Sequence, residues 1–143
     1  HFVKYPIYSD EDAGKREADY NEIRLAEIYY SLAECKFKAN DVDGAAKLLN
    51  AVRKRNYPQD TWAEYLYKPE GTVTLTQDEL YDEWGREFLA EGRRRTDLIR
   101  WGLYCTEEWW DKKPDADSHW DIFPIPRDMM GADHTLKQNP GYN

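Results

Sequence analysis

The segment from Tyr20 to Asn40 restricts the fold of this chain more than any other feature. Its polar side chains recur at spacings of three and four residues, which places them in one narrow stripe of a helix. These polar residues are Arg24, Glu27, Ser31, Glu34 and Lys38. Most other positions are apolar, whereas an ordinary surface helix has a single apolar stripe. We therefore expect a helix that is covered on more than one side.

A second helix follows after a tight turn. Asn40-Asp41 and Asp43-Gly44 supply turn and capping residues. The apolar side chains of the next segment face the first helix, and we expect that segment to end near Arg55. The pair forms an αα-hairpin over residues 20–55, the size of a tetratricopeptide-like unit. Such units are stable only when stacked on neighbours, and the chain holds no second copy, so the pattern favours further helical material upstream.

A broken helix is predicted in the middle of the chain. The segment Thr76-Gln77-Asp78-Glu79 has the form of a capping box, with Thr76 as the cap and Glu79 reaching back. The helix that it opens extends over residues 76–102, with interruptions at Gly92 and Gly102. Residues 56–75 are predicted to form a long loop, and the proline-containing residues 103–143 an irregular tail. The predicted fold class is therefore all-α, in one fragment over residues 1–143.

Composition shows where the core of such a chain must come from. Leu, Ile, Val and Phe make up only about 17% of the residues and the net charge is −8, a combination typical of disorder. The chain nonetheless has six Trp, eleven Tyr and four Phe, whereas disordered chains are poor in aromatic residues. We therefore expect aromatic side chains on the helices to form the core, namely Tyr29, Tyr30, Phe37, Trp84 and Phe88.

The charge and the cysteines exclude several classes of protein. A net charge of −8 and an isoelectric point near 4.9 argue against binding to nucleic acid or to anionic lipid.

Two cysteines exclude a disulfide-rich scaffold and a four-thiolate zinc site. Cys35 continues an apolar stripe of the first helix, so we expect a packed thiol. Cys105 lies in a predicted loop, and a disulfide with Cys35 is the less favoured alternative because nothing positions the pair.

The groups that could carry catalysis have structural explanations. Glu83, Glu87 and Glu91 share one helical face, as carboxylates of a metal site or an acid–base pair would. Ion pairs of Glu83 with Arg86 and of Glu91 with Arg95 explain the same spacing. The arginines at positions 93–95 could clamp a phosphate or a carboxylate of a ligand, but a buried network with nearby carboxylates needs the same residue types.

No motif in the sequence indicates an enzyme. The three histidines, at positions 1, 119 and 134, are far apart, so a zinc site is not expected. The sequence also contains no Gly-x-Ser-x-Gly, P-loop or Gly-x-Gly-x-x-Gly motif. We therefore predict a chain with no catalytic residues, no metal and no cofactor.

Six aromatic rings fall in predicted loops and are candidates for binding a sugar. They are Trp62, Tyr65, Tyr67, Trp109, Trp110 and Trp120. The apolar faces of sugar rings stack on such side chains, and acidic or amide neighbours accept hydrogen bonds from the hydroxyls. The alternative is that these rings anchor the loops to the helices.

Three motifs in order resemble the C-terminal part of the SusD/RagB family. The first is RLAEIYYSLAECKFKANDVDGAAKLLNAVRKR, the second EWGREFLAEGRRRTDLIRWG and the third FPIPRDMMGADHTLKQNPGY, which together run from Arg24 to Tyr142. Trp84 stands where the family usually has arginine, and Asp133-His134 replaces a common Asn-Pro. The matched positions in the second motif imply a structural network, formed by Glu87, Glu91, Arg94, Asp97 and Arg100.

The resemblance also implies a function. Members of the family are cell-surface lipoproteins of the outer membrane that capture oligosaccharides and act with a TonB-dependent, SusC-like transporter. It therefore implies glycan binding without catalysis and membrane association only through an N-terminal lipid that lies outside this chain. Two alternatives stay open: a segment that contacts the transporter without a sugar site, and capture of another nutrient such as peptide.

Overall fold

A computed structural model describes residues 21–142 of the chain. Within that range the fold is all-α, with six helices, short 3-10 turns and no β-strand, as the sequence predicts. The helices are α1 (Leu25–Lys38), α2 (Val42–Arg53), α3 (Trp62–Tyr65), α4 (Gln77–Glu87), α5 (Arg94–Arg100) and α6 (Arg127–Ala132). None of the helices described between residues 21 and 142 is long and apolar enough to span a membrane.

The described residues divide into two compact units, which meet in the chain between Glu87 and Phe88. The first unit contains α1 to α4, and the second contains α5, α6 and the tail. The predicted loop over residues 56–75 includes α3, and the predicted irregular tail includes α6. Tyr20 and the residues before it lie outside the described range.

The predicted hairpin is present as α1 and α2. Asn40 adopts a left-handed conformation (φ 63°) in the turn, and Asp41 caps α2 by accepting a hydrogen bond from the Gly44 backbone N–H at 2.9 Å. A side chain at Gly44 would place its Cβ 2.2 Å from Asp41 Oδ2, so the cap needs glycine there. Lys36 adds an ion pair with Asp41 at 2.7 Å. The capped turn fixes the antiparallel packing of the two helices.

Helix α1 is covered by α2 and α4. Small side chains are buried on both helices of the hairpin, which lets their backbones approach closely; they are Ala26, Ala33, Ala45 and Ala46. Tyr30 has no exposed surface and meets Trp84 of α4 edge to face, with the ring centroids 5.5 Å apart. Of the aromatic residues expected in the core, Tyr30, Trp84 and Phe88 are buried, whereas Tyr29 and Phe37 are only half-buried.

A third side of α1 is exposed. Leu25, Ile28 and Leu32 are 69%, 55% and 48% exposed, and they lie at helical spacing on one stripe with Cys35. The expectation of a packed Cys35 is therefore wrong, because its stripe is the side of α1 that neither α2 nor α4 covers. Both cysteines are free thiols, and Cys105 is the buried one.

Helix α4 starts at the predicted cap and ends before the predicted glycine. Thr76 Oγ1 accepts a hydrogen bond from the Glu79 backbone N–H at 3.2 Å. The Glu79 carboxylate accepts hydrogen bonds from Tyr67 and Arg86, so only the Thr76 half of the capping box forms. The break between α4 and α5 contains two left-handed residues, Ala90 (φ 61°) and Gly92 (φ 75°).

The tail of the second unit is held by side chains that bind backbone. Prolines at positions 124 and 126 have no N–H to donate, so this extended segment cannot pair fully with another strand. Gln138 instead both donates to and accepts from the backbone of Ile125, at 2.9 and 2.7 Å. Asn139 donates to the Phe123 carbonyl at 2.8 Å, and the hydroxyl of residue 142 donates to the carbonyl of residue 122 at 2.8 Å. We call these interactions the tail clamp.

Candidate functional site

Glu83 is the centre of a buried ionic cluster in the first unit. Its carboxylate accepts hydrogen bonds from the Tyr30 hydroxyl at 2.9 Å and from two guanidinium groups, Arg53 at 2.6 Å and Arg86 at 2.8 Å. The predicted ion pair of Glu83 with Arg86 is confirmed. Both carboxylate oxygens are thus occupied by side chains from α1, α2 and α4, so the cluster joins these helices.

Glu87 has a similar role at the next turn of α4. Its carboxylate pairs with Arg24 at 2.5 Å and with Arg55 at 2.6 Å, and its side chain is 3% exposed. Two arginines from the ends of the hairpin therefore converge on one carboxylate. The structural role that the resemblance implies for Glu87 agrees with these contacts.

Tyr67 belongs to the buried cluster and not to a ligand-binding surface. Its side chain has no exposed area. Its hydroxyl donates to Glu79 at 2.8 Å and accepts from Arg53 at 3.0 Å, and its backbone is bound by Asn50. Burial, together with the nearby Glu83, raises the pKa of Tyr67 well above its usual range, so the hydroxyl stays protonated. The prediction of Tyr67 as a sugar platform is wrong, because no face of the ring is accessible.

Trp62 and Tyr65 are brought close together by the short helix α3. The Tyr65 ring is 38% exposed and stacks on Tyr57, with centroids 4.8 Å apart and planes 11° apart. Trp62 donates from Nε1 to the Tyr57 carbonyl at 3.0 Å, and the Lys54 ammonium lies 4.9 Å from its ring centroid. Tyr57 is thus the common support of both candidates. Tyr57 was not among the candidates predicted from the sequence, because its stack with Tyr65 depends on how the short turns between the two residues fold, which no local pattern shows.

Trp109 and Trp110 lie in a tight turn of the second unit. Trp109 and Lys112 exchange backbone hydrogen bonds at 2.8 and 3.2 Å, which closes the turn. Trp110 is 97% exposed at its tip, whereas Trp109 is half-buried with the Lys112 ammonium 5.3 Å from its ring centroid. Trp110 is therefore accessible to a ligand and contributes little to packing.

Trp120 is also accessible, although its ring is part of an aromatic group. It is 48% exposed, with its ring centroid 4.4 Å from that of His119 and 5.9 Å from that of Tyr142. Arg95 donates to the Trp120 backbone carbonyl at 2.6 Å. Arg95 thus holds the segment that carries Trp120, which differs from the predicted pairing of Arg95 with Glu91.

The remaining residues of the predicted network lie around α5. Glu91 and Asp97 are buried, and Asp97 pairs with Arg100 at 2.9 Å. The guanidinium groups of Arg94 and Arg100 lie 6.0 and 4.5 Å from the ring centroid of Trp101. The aromatic partner was not identified from the sequence. A structural role for these four residues stays a prediction that their burial and contacts support.

No cluster in the described part of the chain resembles a metal centre. Between residues 21 and 142, no three His, Cys, Asp or Glu side chains are grouped so that they could hold a metal ion. A small cavity of about 240 Å³ lies between α1 and α2, lined by Leu25, Ala26, Tyr29, Ala51, Val52 and Arg55. Its lining is mostly apolar and holds no acid–base pair.

Comparison with known proteins places the chain in a family. The family model of the SusD family matches residues 1–142. The chain belongs to the SusD family. This family consists of binding proteins and not of enzymes, in agreement with the predicted absence of catalysis.

Two curated relatives and two solved structures illustrate the match. The chain is 35% identical to the starch-binding protein SusD of Bacteroides thetaiotaomicron, over 98% of this chain and 25% of the relative. It is 36% identical to the SusD-like protein P25 of Formosa agariphila, over 56% of this chain and 15% of the relative. This SusD-family chain thus spans a quarter or less of the length of these relatives.

The solved structures agree with the all-α fold. A protein of Bacteroides vulgatus, provisionally named a sugar-binding protein, superposes with a TM-score of 0.66 at 31% identity, over 85% of this chain and 28% of the other. A SusD-like protein of Bacteroides fragilis superposes with a TM-score of 0.60 at 24% identity, over 87% of this chain and 26% of the other. The second likeness supports the fold alone.

Proposed function

We propose that this protein binds glycans at the cell surface by stacking sugar rings on aromatic side chains, without covalent chemistry. The observation that carries the proposal is the 35% identity to a starch-binding protein over 98% of this chain. Because the chain spans only a quarter of that relative, the proposal concerns the protein as a whole.

The accessible aromatic rings support this proposal. Trp110, Trp120 and Tyr65 are 97%, 48% and 38% exposed. Exposed Trp and Tyr rings offer a flat apolar face to the C–H groups of a sugar, and neighbouring carboxylates accept hydrogen bonds from its hydroxyls. Trp109 and Trp62 stay in the candidate set as half-buried neighbours.

The proposal includes a location and a partner. The protein would be a lipoprotein on the outer membrane and would deliver its ligand to a TonB-dependent, SusC-like transporter. Family membership supports both statements. The net charge of −8 argues against attachment of this chain through electrostatic attraction to anionic lipid.

A second candidate function is a protein contact made by this part of the chain. The exposed apolar stripe of Leu25, Ile28 and Leu32 favours it, because contiguous exposed apolar surface marks interaction sites. In this case the fragment would contain no sugar site. Capture of peptide remains the alternative for the ligand.

Titration of the full-length protein with a glycan panel tests the proposal. Saturable changes in tryptophan fluorescence are expected for at least one glycan. The Trp110→Ala variant should weaken that binding, and its melting temperature should stay nearly unchanged because the ring is almost fully exposed. Leu89→Ala, at a 55% exposed apolar position of the same unit, is the matched control and should bind normally. Binding of the transporter without any glycan would contradict the proposal and favour the protein contact.

A further inference from the structure

His119 packs against two aromatic rings of the second unit. Its ring centroid lies 4.4 Å from that of Trp120, with the two planes tilted by 38°. It lies 5.2 Å from that of Tyr142, which stands nearly at a right angle to it. The side chain of His119 is 22% exposed. The imidazole is therefore partly covered by the two rings and still exchanges protons with water.

A turn at residues 139–142, which we call the closing turn, lies directly on His119. Gly141 has a left-handed conformation (φ 88°), and a Cβ at this position would come within 2.4 Å of the His119 Cβ. The Tyr142 backbone N–H closes the turn by donating to the Asn139 carbonyl at 3.3 Å. Only glycine allows the backbone to approach so closely. The position of the closing turn therefore depends on that of His119.

Asp117 is the charged group that contacts His119. Its Oδ1 accepts a hydrogen bond from the His119 backbone N–H at 2.9 Å and also contacts His119 Nδ1. These two contacts lower the pKa of Asp117, so its carboxylate stays charged at the pH values where histidines gain a proton. A protonated His119 thus pairs with a carboxylate and places a cation beside the Trp120 ring, whereas a neutral His119 makes neither charge interaction.

The neighbouring charged groups make contacts with other partners. Arg95 donates to the backbone carbonyls of Trp120 and Asp121, at 2.6 and 3.3 Å, and arginine keeps its charge throughout the physiological range. The Asp121 carboxylate accepts a hydrogen bond from the Cys105 thiol at 3.3 Å, and burial keeps that thiol protonated by raising its pKa to about 11. Among these side-chain types, only histidine ordinarily changes charge between about pH 5 and about pH 8.

We propose that His119 is a pH-dependent lock on the closing turn. When it is protonated, the Asp117 carboxylate and the Trp120 ring fix the imidazole, and the closing turn packs on a fixed surface. When it is neutral, this surface is held less firmly, so the closing turn opens more often and exposes more of Trp120. The lock therefore weakens as the pH rises through the histidine range, and it also fails in stronger acid, where Asp117 becomes protonated. The lock acts on the tail itself and goes beyond the proposed glycan binding.

Hydrogen exchange of the full-length protein tests the lock. Mass spectrometry of the peptide that contains residues 139–142 reports the opening of the closing turn. After correction for the intrinsic pH dependence of exchange, its protection should rise about three- to fivefold from about pH 8 to about pH 5.5, the effect of one cation–π contact at an exposed site. Equal protection at both pH values would overturn the proposal.

Two histidine variants show which group is responsible. His119→Phe keeps an aromatic ring but cannot gain a proton, so the protection of the closing turn should no longer change with pH. His134→Gln, at an exposed position of the same tail, is the matched control and should keep the full pH dependence. If the pH dependence persists in His119→Phe, or disappears in His134→Gln, another group titrates and the proposal is wrong.

Two further variants test the partners of the protonated ring. Asp117→Asn keeps an acceptor for the His119 backbone N–H but carries no charge, so the gain in protection on acidification should shrink. A protonated imidazole beside an indole quenches its fluorescence, so the wild type should lose tryptophan emission over the same pH range and Trp120→Phe should not. A full gain in Asp117→Asn would overturn the role of Asp117, and equal quenching in Trp120→Phe that of Trp120.

Discussion

Removing the charge of Glu83 should destabilise the first unit strongly. The Glu83 side chain is 5% exposed, and it is paired at 2.6 Å with Arg53, whose side chain is 8% exposed. In Glu83→Gln the buried guanidinium keeps its hydrogen bonds to the Tyr65 carbonyl and the Tyr67 hydroxyl, but the nearest carboxylate is then Glu79, at 4.0 Å. Leaving a buried ion without its partner typically costs about 3–5 kcal/mol. Because Glu79 compensates to some extent, we expect a loss of about 3 kcal/mol in the free energy of unfolding.

The other partners of Glu83 contribute less to this loss. Arg86 is 49% exposed, so its pair with Glu83 is worth at most about 1 kcal/mol. Tyr30 can still donate to the amide oxygen of the glutamine. In Glu83→Ala this hydrogen bond is lost as well, which adds about 1 kcal/mol. The alanine variant should therefore be the less stable of the two.

Urea unfolding of the full-length protein, followed by tryptophan fluorescence, measures these differences. Trp84 is buried beside Tyr30, so its emission reports the unfolding of this unit. Glu22→Gln, at an exposed position, is the control and should stay within about 0.5 kcal/mol of the wild type. Replacing both charges in Glu83→Gln with Arg53→Met should cost less than the two single changes added together. A loss below about 1 kcal/mol in Glu83→Gln, or strict additivity in the double variant, would refute the reasoning.

Three further predictions concern the tail, the hairpin and the thiols. Gln138→Ala removes both hydrogen bonds to the Ile125 backbone, so the free energy of unfolding should fall by about 1–2 kcal/mol and hydrogen exchange in the tail should become faster. Gln138→Glu keeps the acceptor oxygen and should lose about half as much. Asp41→Ala should lower the melting temperature because the cap of α2 is lost, and Asp41→Asn should not, because asparagine caps equally well. The lowered pKa of Asp41 means that its contribution is present above the unfolded pKa and disappears as the pH falls through the folded one. A thiol reagent at pH 8 should modify the exposed Cys35 quickly and the buried Cys105 only after unfolding. Burial and Asp121 raise the pKa of Cys105 to about 11, so little of its reactive thiolate is present at pH 8. Equal rates of modification for both thiols would contradict this prediction.

The hairpin and its cap could be predicted because their signals are local. Helical periodicity and the Asp41–Gly44 turn determine where the two helices begin and end. Helix α4 likewise begins at the predicted Thr76 cap. Hydrogen bonds within a few residues of the chain leave a direct pattern in the sequence.

The errors arise where the answer depends on partners distant in the chain. Periodicity shows that α1 is apolar on several sides, but it does not show which side α2 and α4 leave open, and Cys35 lies on that side. Tyr67 sits in a segment with loop-like composition, yet it is buried because Asn50 and Arg53 reach it from α2. The Tyr57–Tyr65 stack has the same cause.

The tail clamp has a consequence for how the sequence can vary. Gln138 and Asn139 bind the backbone of residues 123–125 and so recognise its path, not its side chains. Phe123 is 69% exposed, with the Arg95 guanidinium 3.9 Å from its ring centroid, and Ile122 is 56% exposed. Substituting either of them changes the outer surface while the hydrogen bonds that hold its shape remain. The side chains at positions 122 and 123 can thus be replaced while the backbone of the tail keeps its path. These two positions are therefore suitable for altering what the protein contacts.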